Sequence, residues 1–140
     1  MRTFGSSAAA ALLSVALASA GCGGGGSGGG VIPSATVTLA DVQTQVFSPR
    51  CALSGCHAGS GAPFGLDLSS GAAAGNLIDV ASAELPSLLR VEPGDAANSY
   101  LYMKVSADPR INGDPMPLNR PPLNAADLEL IEAWINQGAH

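Results

Sequence analysis

Five prolines, at positions 109, 115, 117, 121 and 122, fall within the fifteen residues 108–122. Each fixes φ and removes a backbone donor, so neither a helix interior nor a central strand survives that density. The stretch is expected to be coil, and regular structure must lie on either side of it.

The flanks carry helical signals. Thr38 offers an N-cap with Asp41 three residues on, and Leu39, Val42, Val46 and Phe47 recur at helical spacing, with Pro49 expected to end that helix. At the other end Asn124 caps a helix with Asp127 at its third position. Leu128, Ile131, Trp134 and Ile135 form one stripe, and Gly138 closes it. Between these, Phe64, Leu66 and Leu68 alternate as in a short strand, with Leu85, Leu88, Leu89 and Val91 either pairing with it or forming a short helix. Residues 72–77 suggest a brief helix, residues 92–95 (Glu-Pro-Gly-Asp) a turn, and residues 96–105 a helix with Tyr100, Leu101 and Val105 on its apolar side. The expected fold class is mainly α: one small domain over residues 38–140, with an irregular or short-β insert and a proline-rich loop.

The first part of the chain reads as addressing. Arg2 precedes an apolar run over residues 6–18, too short to span a bilayer stably, and Ser19-Ala20-Gly21-Cys22 follows. Residues 1–21 are expected to be a signal peptide. Ala18-Ser19-Ala20 fits cleavage by an ordinary signal peptidase. Ser19 to Cys22 resembles a bacterial lipobox, with Ser19 where Leu is usual, and makes Cys22 a lipidation site. The lipoprotein reading is preferred, because Gly23 to Gly30, GGGGSGGG, is a flexible tether within residues 22–37 that lets a domain stand off a membrane. No Gly-Lys-Ser/Thr follows it, so it is not a phosphate loop. The protein is expected to be exported and lipid-anchored in the bacterial cell envelope.

Loss of Arg2 leaves five basic residues against eleven acidic, a net charge of −6. That balance argues against nucleic acid as a partner. Without Phe4, five aromatic residues remain, a thin supply for a small core, and a cofactor is expected to fill the middle.

The remaining cysteines lie in Cys51-Ala52-Leu53-Ser54-Gly55-Cys56-His57. In c-type haem attachment two thiols form thioethers with the haem, and the histidine after the second cysteine meets the iron. The usual spacing has two residues between the cysteines; here there are four. On a regular helix, positions five apart sit about 140° apart around the axis, so the segment must loop out, and Ser54-Gly55 is the place for it. Two alternatives stand beside this reading. Cys51 and Cys56 form a disulfide in an oxidising compartment, leaving His57 an ordinary loop histidine. Or they bind zinc, for which Cys51, Cys56 and His57 supply at most three ligands and His140 is a mobile terminal residue.

A wider set of residues bears on this choice. Val46-Phe47 precede Cys51; Cys56-His57 are followed by Gly65-Leu66-Asp67-Leu68, by residues 91–95 (Val-Glu-Pro-Gly-Asp) and by Asn98-Ser99-Tyr100-Leu101. Met116-Pro117 come next, then Leu128, Ile131, Trp134-Ile135 and Gly138-Ala139. In these the chain from Val42 onward resembles the planctomycete-type cytochrome c domains, especially the small lipoprotein versions of delta-proteobacteria and myxobacteria. The resemblance implies one haem c, with Cys51 and Cys56 as thioether sites and His57 and Met116 as axial ligands. It also implies a cytochrome c-like fold in which the first and last helices pack together, with Phe47 near Trp134.

A proline-stiffened loop holds a thioether at low entropy cost, although Met116 also suits gap-filling and Met103 competes with it from a helix. Arg90, Arg110 and Arg120 are either partners of haem propionates or solvated arginines. With His57 and Met116 both on iron the expected role is one-electron transfer, not enzymatic chemistry, with redox proteins of the envelope as partners and the protein a monomer. The haem-free domain is expected to fold poorly. The rival is a haem-free surface lipoprotein with a Cys51–Cys56 disulfide, acting as a binding or structural module. No Ser–His–Asp arrangement supports a hydrolase.

Overall fold

The computed structural model describes residues 36–140. The expected signal peptide 1–21, the lipidation site Cys22 and the glycine tether lie outside the described residues. Among the described residues, no helix is long and apolar enough to cross a membrane.

The first helix starts where the capping residues put it. The Thr38 hydroxyl accepts from the Asp41 N–H, and the Asp41 carboxylate accepts from the Thr38 N–H at 2.8 Å, a reciprocal cap. From there α1 (Leu39–Val42) runs without interruption into a π-helical segment, Gln43–Cys51. The expectation that Pro49 ends the helix is corrected, for the wider π turn carries the chain through Pro49 to Cys51. The ring lacks only the one N–H that would have bonded back, and the next register is intact: Ala52 N–H reaches the Phe47 carbonyl, five residues back, at 2.7 Å. Gln43, nearly buried, donates to the Leu68 carbonyl at 3.0 Å and to Ser48, fastening the π segment to the insert.

In the insert the alternating Phe64, Leu66 and Leu68 do not form a strand. Pro63–Gly65 is a single 3-10 turn in which Phe64 has φ 54°, a left-handed conformation that no ladder accommodates. Residues 85–91 are neither a helix nor a partner for 64–68. Val91 and Leu89 instead form isolated bridges, parallel to Ile78 and antiparallel to Ala81, and these two are the only β pairings among the described residues. The brief helix over 72–77 is present as α2 (Ala73–Leu77).

The helix expected over 96–105 is broken in two, a 3-10 turn Ala96–Asn98 and α3 (Tyr100–Ser106). Ser99 causes the break. Its fully buried hydroxyl donates to the Asp95 carbonyl at 2.8 Å and accepts from the Glu92 N–H at 2.8 Å, competing with helical bonding. The last helix, α4 (Ala125–Asn136), has its N-cap at Asn124, whose side chain accepts from Asp127 N–H at 2.9 Å.

The ends of the domain meet. Val42, Val46 and Phe47 from the first helical run and Ile131, Trp134 and Ile135 from α4 are all 0–1 % exposed and form one core with Leu68, Leu77 and Val91. Phe47 lies near Trp134, as the sequence resemblance implied. His140, expected to be mobile, is held. Its carbonyl accepts from Leu39 N–H at 2.8 Å and from the Trp134 indole at 3.0 Å, tying α1 to α4. The architecture is mainly α, with helices at both ends around an irregular middle.

Candidate functional site

The π segment delivers Cys51 to the start of a tight loop. The Cys51 carbonyl accepts from Leu53 N–H at 2.9 Å and again from His57 N–H at 3.1 Å, so six residues of chain close back on one atom. Closure requires a left-handed residue, and Gly55 supplies it at φ 78°. The four-residue spacing is thus absorbed where the sequence placed it. Cys51 and Cys56 are half-buried free thiols, and both line one cleft together with His57 and Met116. Burial pushes the Cys51 thiol up to about 11.

His57 is aimed by the insert. Its Nδ1 lies 3.2 Å from the Leu66 carbonyl, and the His57 carbonyl in turn accepts from Leu68 N–H at 2.9 Å. A carbonyl only accepts, so this bond puts the ring proton on Nδ1 and leaves the Nε2 lone pair free. The ring is half-buried, and desolvation holds it below the usual histidine range, against the opposing pull of the Leu66 carbonyl. The result is a neutral, oriented imidazole, the form in which histidine binds a metal.

Met116 comes from the proline coil, which is ordered by contacts with the rest of the domain. Its N–H donates to the Lys104 carbonyl at 2.8 Å, which hangs the coil on the end of α3, and its side chain packs partly buried on the core. Met103 points elsewhere: it is 1 % exposed and is not part of the cleft wall.

The cleft has a volume of about 260 Å³. Its floor is apolar, with Leu66, Leu68, Leu77, Leu101 and Val105. Its mouth carries Phe64 and Leu118, 66 % and 49 % exposed, the two large apolar side chains that the described surface leaves in water. Charge is segregated around it. Of the five basic residues in 36–140, Arg50, Arg90, Lys104 and Arg120 line the cleft, whereas of the eleven acidic residues only Glu84 does. Lys104, 7 % exposed, is matched by Glu84 at 3.0 Å and by the Asn112 carbonyl at 2.9 Å. Arg90 donates to the Asn76 and Phe64 carbonyls at 2.9 and 2.7 Å. Arg120 is exposed and its guanidinium has no bonding partner among the described residues. Arg110 faces away, held by Asp108 at 2.8 Å.

The four residues singled out from sequence therefore share one cleft. Sequence reasoning missed Arg50, Lys104, Glu84 and the Leu66 carbonyl. Lys104 carried a signal, being a lone charge among Tyr100, Leu101, Met103 and Val105 on one short helix. Among the described residues no three His, Cys, Asp or Glu side chains converge as metal ligands. No known protein family, curated protein or solved structure matches the chain.

Proposed function

We propose that residues 38–140 form an electron-transfer domain carrying one covalently attached haem in this cleft, anchored to the cell envelope through a lipid on Cys22. The observation that carries the reading is the His57–Leu66 bond. It fixes the tautomer and leaves a neutral Nε2 on a residue that lines the same apolar cleft as two free thiols.

The residues present fit such a group. A porphyrin is a large apolar body with acidic substituents. An apolar floor bordered by Arg90 and Arg120, the two basic lining residues with no carboxylate partner among the described residues, suits that combination. Cys51 and Cys56 would hold the group as thioethers, and His57 and Met116 would ligate its iron. When bound, such a group would supply reversible one-electron exchange. The chain's own residues do the rest. Leu66 keeps the imidazole oriented, Leu68, Leu77 and Leu101 exclude water, and the Lys104–Glu84 pair satisfies the charges the cleft buries. Phe64 and Leu118 at the mouth offer an apolar contact to a redox protein partner.

The test is the intact mass of the full chain matured by a c-type haem assembly system. The expected product carries one haem, and the double variant Cys51→Ser, Cys56→Ser carries none. A chain that stays haem-free and is two hydrogens light answers to the disulfide module instead.

A further inference from the structure

Arg50 precedes Cys51 at the end of the π segment, and its guanidinium reaches across to the far side of the proline coil. One amino group donates to the Pro121 and Pro122 carbonyls at 3.2 and 3.0 Å; the other meets the Asp127 carboxylate at 3.4 Å. These carbonyls have few other options. Prolines 117, 121 and 122 offer no N–H, so the coil pairs little of its own backbone, and past Met116 its one internal bond is Arg120 N–H to the Pro117 carbonyl at 3.4 Å. Met116 is therefore bracketed by two fastenings, its own N–H on the Lys104 carbonyl before it and Arg50 on the Pro121–Pro122 carbonyls after it.

We infer that Arg50 is the positioning residue for Met116: it clips the end of the methionine-bearing coil to the same helical turn that carries Cys51. The inference rests on the haem reading above and adds to it a residue that touches neither the iron nor its ligands. Because the planar guanidinium fork serves two carbonyls and a carboxylate at once, an ammonium cannot replace it. The carboxylate bond is the least important of the three for this role. Asp127 belongs to α4, which the core already holds; the buried Leu123 anchors the end of the coil in that core, and Arg50 adds the polar fastening of the Pro121 and Pro122 carbonyls.

The experiment uses the haem-loaded full chain and measures how readily added imidazole displaces methionine from ferric iron, followed by the methionine–iron absorption. Arg50→Gln is expected to make displacement about tenfold easier, the loss of charge-assisted hydrogen bonds to two carbonyls. Haem content and far-ultraviolet circular dichroism should stay at the parent level. Arg50→Lys should rescue little of the loss, and Asp127→Asn should stay near the parent. Equal displacement constants for Arg50→Gln and the parent would overturn the inference, as would equal loss in Arg50→Gln and Asp127→Asn. If Arg50→Gln does not accumulate, the contrast between Arg50→Lys and Asp127→Asn decides by the same readout. A parent chain that holds no haem overturns the proposed function itself, and this inference with it.

Discussion

Phe47 meets Trp134 edge to face, with ring centroids 6.3 Å apart and planes at 87°. Both side chains are buried to within 1 %, and the indole N–H is spent on the His140 carbonyl. This contact joins the two ends of the domain. Trp134→Ala or Phe47→Ala is expected to cost about 3–5 kcal/mol in a denaturant titration. A double-mutant cycle should return a coupling of about 0.5–1.5 kcal/mol, as aromatic pairs in this geometry do. Strictly additive losses would show that the rings act independently.

Much of that frame was legible in the sequence. Thr38 with Asp41 and Asn124 with Asp127 are local caps whose partners lie three residues away, and the apolar spacing between them needs no tertiary knowledge. The irregular middle was not. Phe64, Leu66 and Leu68 alternate like a strand, yet Pro63 and Gly65 impose a turn, and Leu66 and Leu68 serve instead as backbone partners of His57. Pro49 misled for a related reason, since its rule holds for the α register and the chain adopts the π register. The site residues at 51, 56, 57 and 116 were readable as chemistry. Arg50 was not, because its partners are carbonyls some seventy residues away.

Methionine 116, not methionine 103, is expected to govern the iron. In the loaded protein, Met116→Ala should abolish the methionine–iron absorption and lower the reduction potential, because a soft thioether favours ferrous iron. Met103→Ala removes a core side chain and should cost about 2–5 kcal/mol of stability while leaving that absorption in place. The reverse pattern would move the ligand assignment to α3.

Emptying the cleft should weaken the fold. Leu68, Leu77, Leu101 and Val105 belong to the core and also line the cleft, so an occupant shields them from water. Calorimetry of the haem-free Cys51→Ser, Cys56→Ser chain should show a lower, broader transition than the loaded protein. Equal cooperativity in the two would mean that the core is complete without an occupant.

The start of the proline coil carries an acid-sensitive brace. Asp108 accepts from the backbone and side chain of Arg110, and these bonds hold its carboxyl down at about 2. A folded-state value below the unfolded 3.8 means that the contribution is fully present above 3.8 and lost as pH falls through about 2. Asp108 is half-buried but its partner Arg110 is exposed, so the effect should be small and salt-sensitive. Asp108→Asn should flatten the acid limb of stability between those values, read as the difference from the parent in urea midpoints. Parallel limbs would remove Asp108 from the account.

The central claim is that the Cys51–His57 loop holds a haem by covalent bonds in the native cell. Its most direct measurement is the visible spectrum of the protein isolated from its own host, unfolded in denaturant and freed of anything bound non-covalently. Haem absorbance that remains with the polypeptide, at one haem per chain, is the predicted result. A colourless polypeptide with Cys51 and Cys56 joined to each other would contradict it.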